Sequence, residues 1–307
     1  MEMCVRVSTH THTHTHTHTH IVMSCTDRLR RTERERERDC VRETEIDENC
    51  SIPCNQTMRF DVHMCVYISL KLSKQEQVPG AGLARLLLDL VLAGYAAEGN
   101  EWSYLMLISS NLMLNCDPGS AWDIHPYCID SSNVERREDM MRPVRVPDVV
   151  PATVLDAELD PDTMQMTGGD FVEVYSSKEY EGHFDAILTC FFIDTAMNLP
   201  TLLRVFHHCL RDGGIWINLG PLTWHWSEGG SQMADLCEEE KMSVELSLES
   251  VLAVAEASGF KRLMHQMVPA QFVRNSLSMQ QNVYSCSFFS MQKQTDTSTA
   301  STYTETL

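Results

Sequence analysis

Apolar and polar positions change character near Val78. Upstream, Thr and His alternate from Thr9 to His20, and Arg and Glu alternate from Glu33 to Arg38. Neither tract builds an apolar face, so residues 1–77 are expected to be low in complexity and disordered. Only Cys65–Leu70 has strand-like composition there. Downstream the pattern predicts a helix over Leu83–Leu92, a short strand over Tyr95–Ala97 and a helix over Ser103–Asn115. A proline-punctuated irregular stretch follows, then a short strand closing at Gly168-Gly169-Asp170-Phe171. Phe184–Phe192 is almost continuously apolar, the mark of a strand buried on both faces. Leu199–Leu210 reads as a helix stopped by Gly213-Gly214, and Ile215–Leu219 as the next buried strand. Leu248–Ser258 is helical, and strands are expected near Lys261–Met267 and Val283–Ser290. Residues 294–307 are rich in Ser and Thr and are expected to be a disordered tail.

Strands that alternate with helices predict an α/β fold with a doubly wound, mostly parallel sheet. In such sheets ligands sit outside the carboxyl ends of the strands. The segments after Val78, Ala97, Met166 and Phe192 would all reach that edge.

Charge narrows the choice of ligand. Lys and Arg number 24 against 43 Asp and Glu, for a formal net charge of -19. That field repels phosphate backbones, so a nucleic-acid substrate is not expected. A small zwitterionic or cationic substrate fits it better. The 12 cysteines include no C-x-x-C pair and no disulfide or zinc framework, which predicts a reducing setting and no metal site. Cys190 and Cys209 lie in apolar segments and read as small buried hydrophobes. With no signal-like start and no membrane-length apolar run, a cytosolic protein without a membrane partner is expected.

Candidate chemistry begins at Gly80-Ala81-Gly82, where glycines let a helix start approach a ligand closely. Nicotinamide, flavin and adenosylmethionine binders share that feature. Glu101 lies 21 residues after Gly80, where an acid can accept from ribose hydroxyls; an ordinary loop glutamate is the plain alternative. Asp170 stands at the third strand edge, where it can accept from an adenine amino group or serve only as a turn residue. The missing third glycine of a dinucleotide fingerprint counts against an oxidoreductase.

Longer strings carry a family resemblance. They include Val78-Pro79-Gly80-Ala81-Gly82-Leu83, Gly99-Asn100-Glu101-Trp102-Ser103, Thr189-Cys190-Phe191-Phe192-Ile193-Asp194-Thr195-Ala196 and Gly213-Gly214-Ile215-Trp216-Ile217-Asn218-Leu219-Gly220-Pro221-Leu222. From Val78 to Lys293 the chain resembles the carnosine N-methyltransferase family. That resemblance implies a Rossmann-like class I methyltransferase fold with a C-terminal antiparallel strand. It implies S-adenosylmethionine as cofactor and methylation of the imidazole of carnosine to anserine. By position it implies cofactor contacts from Gly80, Glu101, Asp170 and Phe171. It implies substrate contacts from Phe192, Ile193, Asp194, Thr195, Ala196, His225 and Tyr284, with Asp194 as the catalytic candidate. Plainer roles are a helix N-cap for Asp194, a packed surface residue for His225 and a strand aromatic for Tyr284. A cytosolic and nuclear location and a homodimer are compatible with the family, although no residue argues for either.

Two departures accompany the resemblance. The family's helical N-terminal portion, which supplies further cofactor contacts, has no counterpart expected in residues 1–77. Ser73–Gln77 is polar where the family has an apolar first strand, a poor fit for a central parallel strand. A damaged sheet, or an inactive truncated remnant, is therefore the competing expectation.

Overall fold

The computed structural model describes residues 5–11, 17–23, 75–117, 119–155, 160–226 and 244–295. The chain divides into two compact units, one of Met1–Asp170 with Pro269–Tyr284, the other of Phe171–Val268 with Ser285–Leu307. The division falls inside the segment expected to be one methyltransferase domain, at a point that no change of composition marks. Among the described residues, no helix is long and apolar enough to cross a membrane.

Two strands occur where disorder was expected. Val5–Thr11 (β1) pairs antiparallel with Thr17–Met23 (β2), in register from Val5 opposite Met23 to Thr11 opposite Thr17. Alternation of β-branched Thr with His has the period of a strand even though it builds no apolar face. The strand-like Cys65–Leu70 stretch lies outside the described residues.

The first unit continues with the strand Gln75–Pro79 (β3), present despite its polar sequence. Glu76 and Gln77 are fully buried in it, beside the buried apolar Val78 and Pro79. A parallel ladder needs only backbone groups, so pairing with the neighbouring strand holds β3 in place although side-chain patterning argues against it. That neighbour is Ala96–Glu101 (β4), with Gln75 opposite Ala96 and Pro79 opposite Asn100. Met164–Gly168 (β7) pairs with β4 in turn, again parallel, from Ala97 opposite Met164 to Glu101 opposite Gly168.

Between β3 and β4 runs the helix Arg85–Leu92 (α1), which buries Leu87, Leu88, Leu90 and Val91. Its interior holds a run of good helix formers, and Gly94 stops it with a positive φ of 94°. Tyr104–Leu114 (α2) starts where the Ser103 hydroxyl accepts from the Met106 amide, an N-cap bond. The proline-rich stretch is less irregular than expected. It holds a small antiparallel ribbon, Trp122–Ile124 (β5) with Val144–Val146 (β6), and two single-turn helices, Arg137–Met140 (α3) and Pro151–Val154 (α4).

The second unit opens with the short helix Phe171–Tyr175 (α5) and the strand Phe184–Cys190 (β8). After Leu199–Cys209 (α6) comes Leu210–Gly220 (β9), parallel to β8. The double glycine does not separate helix from strand as predicted; β9 runs through it. Register jumps from Phe184 opposite Leu210 to Ala186 opposite Ile215, so residues 211–214 bulge out. A Cβ on Gly214 would lie 2.8 Å from the Arg211 carbonyl oxygen, so the bulge requires glycine there. Leu248–Ala257 (α7) leads to Phe260–Ala270 (β10), and Tyr284–Lys293 (β11) runs antiparallel to β9. Parallel strands alternating with helices, closed by an antiparallel C-terminal strand, are the Rossmann-like α/β class that the sequence predicts.

The core of this unit centres on Trp216, fully buried. Its ring meets Phe289 at 4.9 Å, Phe206 at 5.4 Å and Phe260 at 5.7 Å, each near edge-to-face. The indole N–H donates to the Thr189 hydroxyl, which donates to Asn218 Oδ1, and the Asn218 amide donates to the Ser287 carbonyl. Thr189 and Asn218, one from each of the two longest family strings, thus satisfy one another inside an apolar core.

Candidate functional site

In the first unit the ends of three parallel strands are laced together. The Ala81 amide donates to the Asn100 carbonyl at 2.9 Å, and the Gly169 amide to the Glu101 carbonyl at 3.0 Å. The Asn100 side chain donates to the Gly169 carbonyl at 3.1 Å. Loops 80–82, 100–103 and 168–170 are therefore one hydrogen-bonded edge.

Glu101 is its hub. Its Oε2 accepts the Gly82 amide at 2.9 Å, and Oε1 accepts the Ser103 amide at 2.8 Å. It is half-buried, not the freely solvated loop glutamate of the plain reading. Each carboxylate oxygen keeps a second lone pair for a ligand hydroxyl. Gly80 and Gly82 both take positive φ, 64° and 56°, and a Cβ built on Gly82 meets nothing within 4 Å. Open space over a left-handed backbone, beside an anchored carboxylate, fits the ribose end of a nucleoside cofactor. Gly99 is a different case, because a Cβ there would meet Met166 Sδ at 2.5 Å and the Ala81 Cβ at 2.9 Å. Asp170 is exposed at the third loop. Tyr284 is half-buried at the first position of β11.

In the second unit Phe171 is a core residue. It stacks on Tyr175 at 4.6 Å and meets Phe206 edge-on at 5.3 Å and Phe192 at 6.3 Å. Phe192, half-buried, leads into a single 3-10 turn, Ile193–Thr195, which buries Ile193 and Asp194. Asp194 is not a helix N-cap, since that role at α6 belongs to Asn198, whose side chain accepts the Thr201 amide. Instead its Oδ2 accepts from both the Thr223 amide, at 3.0 Å, and the Thr223 hydroxyl, at 2.6 Å. Its Oδ1 is buried without a hydrogen-bond partner among the described residues. A lone acceptor in a buried carboxylate is costly unless a ligand fills it.

The segment carrying Thr223 is pinned around Asp194. The His225 amide donates to the Asp194 carbonyl, and the Trp226 indole to the Thr195 carbonyl at 2.8 Å. His225 thus meets Asp194 through its backbone, and its residue is exposed. Thr195 and Ala196 are half-buried, and the Thr195 hydroxyl donates back to the Phe192 carbonyl. Phe191 and Trp224, on either side of this arrangement, hold positive φ of 51° and 32°. Strain of that kind in bulky residues persists only where surrounding packing enforces it.

Thr223 and Asn100 are the residues that sequence reasoning missed. Asn100 lies inside a family string, and a polar residue next to a strand-end glycine was a usable signal. Thr223 carried none, because its partner is distant in sequence.

Cys209 is buried as expected, whereas Cys190 is only half-buried as a residue. Desolvation pushes the Cys190 thiol up to about 11, with a further contribution from Cys286. Desolvation also raises Cys286 to about 11, and the Asp194 charge adds to the shift. Both stay protonated at neutral pH, so neither is an activated nucleophile. Among the described residues, no group of three or more His, Cys, Asp or Glu is placed to hold a metal ion.

A model of the family described as carnosine N-methyltransferase matches residues 23–295. Residues 23–77, which the short strings after Val78 do not reach, belong to that match. The chain is 38% identical over 208 residues to the carnosine N-methyltransferase of Schizosaccharomyces pombe, covering 67% of this chain and 55% of that protein. It is 39% identical over 218 residues to that of Rattus norvegicus, covering 70% and 50%. It spans about half the length of the curated relatives it matches. A solved S-adenosylmethionine-dependent methyltransferase from Methanosarcina mazei aligns at a TM-score of 0.46 with 10% identity, covering 75% of this chain and 96% of that one. With the family model matched across most of its length, the chain belongs to the carnosine N-methyltransferase family.

Proposed function

We infer that this chain transfers a methyl group from S-adenosylmethionine to an imidazole nitrogen of carnosine, giving anserine. The observation that carries the reading is Asp194, a buried carboxylate with one oxygen held twice and the other without a partner among the described residues. Membership of the family supports the choice of substrate, and the acidic charge balance favours a small zwitterion over a nucleic acid.

Gly80, Gly82, Glu101 and Asp170 are the residues that would hold the cofactor, which supplies a methyl group already activated on a sulfonium. The protein's task is then placement. A free imidazole has a pKa near ~6.5, so its unprotonated nitrogen is available at neutral pH. Asp194 Oδ1 accepts the N–H of the other ring nitrogen, which selects the tautomer and makes the attacking nitrogen more basic. As that nitrogen's lone pair forms the new N–CH3 bond, the S–CH3 bond would break with its electron pair left on sulfur, releasing a neutral thioether (S-adenosylhomocysteine), and the positive charge passes to the ring beside the carboxylate. The ring N–H proton then passes to Oδ1 and on to solvent. His225 and Tyr284 orient the ring and the dipeptide ends, and Phe192 to Ala196 form the wall that carries Asp194. A cytosolic and nuclear location and a homodimer go with this reading, to be checked by fractionation and sedimentation.

The test is incubation of the purified chain with methyl-labelled S-adenosylmethionine and carnosine, followed by chromatography of the product. Labelled anserine supports the reading. Cofactor binding without any labelled imidazole product would leave the fold assignment standing and remove the substrate.

A further inference from the structure

Resting on that reading, we propose that Thr223 is a positioning residue that reserves one oxygen of Asp194, so the site offers its substrate a single acceptor. A carboxylate can rotate about χ2 and present either oxygen. Here both donors of Thr223 converge on Oδ2, the hydroxyl at 2.6 Å and the amide at 3.0 Å. The short hydroxyl contact is a charge-assisted bond, among the stronger kinds available to a side chain. The backbone is held as well, because the His225 amide donates to the Asp194 carbonyl at 3.0 Å. With plane and backbone both fixed, Oδ1 is the oxygen left over, and it is buried.

This arrangement carries information about substrate class. A neutral imidazole has one N–H and needs one acceptor. A guanidinium binds a carboxylate through two parallel N–H groups and would find half its partner already taken. Thr223 therefore tunes the site toward azole rings and away from forked cations. Thr223 is itself exposed and belongs to no apolar cluster, so its hydroxyl is dispensable for packing.

The experiment compares the wild-type chain with Thr223→Val and Thr223→Ser, measuring kcat and KM for carnosine, the Kd for S-adenosylmethionine, and Tm. Valine removes the hydroxyl and keeps the amide donor, so kcat/KM for carnosine is expected to fall about 10-fold. Cofactor Kd and Tm should hold, and serine should restore turnover. A valine variant with wild-type kcat/KM would overturn the positioning role. So would a loss that serine fails to rescue, or one that tracks cofactor affinity and Tm. Should the valine variant unfold, Thr223→Ala repeats the comparison with less bulk. A wild-type chain that binds cofactor but methylates no carnosine fails the underlying reading instead, an outcome visible before any variant is made.

Discussion

The carboxylate of Glu101, at the end of one strand, accepts the amide of Gly82, in the loop that follows its neighbour strand, at 2.9 Å. Its second oxygen accepts the Ser103 amide in the loop that follows its own strand. One side chain thus sets the shape of two loops as well as offering lone pairs to a ligand. Glu101→Ala is expected to weaken S-adenosylmethionine binding by about 10-fold or more, since both a charged acceptor and the loop anchor are lost. Glu101→Gln should fall between, because an amide oxygen can serve only one of the two loop donors. Calorimetric titration of the three proteins tests this, and equal affinities would remove Glu101 from the cofactor site.

On the proposed reading, Asp194→Ala is expected to separate catalysis from cofactor binding. The loss expected in kcat/KM for carnosine is about 100-fold, on the order of 3 kcal/mol of transition-state stabilisation. Affinity for S-adenosylmethionine should change little. Asp194→Asn keeps the volume and lacks the charge that meets the developing cation, so it should recover little of the rate. An alanine variant retaining most of its turnover would sink the assignment.

Gln77 tests how β3 tolerates its polar sequence. Its Oε1 accepts the Val78 amide at 2.7 Å, while its Nε2 is buried without a partner among the described residues. Two effects compete in Gln77→Leu: removal of an orphan donor, and loss of a local bond. The orphan costs about 1–3 kcal/mol and the local bond contributes about 1 kcal/mol, so the variant should be more stable. A rise in Tm of a few degrees is expected in a thermal melt. A fall would mean that the bond to Val78 stabilises the strand by more than the buried donor destabilises it.

The two raised thiols make stability depend on alkaline pH. Cys190 and Cys286 titrate at about 11 in the folded chain, against 9.0 for an unperturbed thiol. Between those values the unfolded state has released protons that the folded state still holds. Their contribution to stability is therefore fully present below pH 9 and lost as pH rises toward 11. Urea unfolding of the wild type and a Cys190→Ser/Cys286→Ser variant at pH 8 and pH 10.5 checks the sign. The wild type should lose more stability than the variant across that interval.

Several features were legible because they are local. Phe184–Cys190 and Leu199–Cys209 follow from apolar runs whose period and length are written in consecutive residues. Glycines mark the strand-end loops because a positive φ is a property of the residue that adopts it. The strings Thr189–Ala196 and Gly213–Leu222 pointed to the family because they are long and unusual, and folding brings two of their polar members, Thr189 and Asn218, together.

Tertiary structure decided the rest. Gln75–Pro79 is a strand because β4 supplies the ladder, a fact absent from its own composition. The place where the chain divides, between Asp170 and Phe171, depends on which contacts form and not on any breaker residue. Asp194 was nameable from sequence, but its clamp was not. Thr223 lies 29 residues away, and only folding brings its hydroxyl to 2.6 Å from a carboxylate that burial has stripped of water. Sequence determines which groups are available for chemistry; their desolvation and mutual distance arise only when distant segments pack.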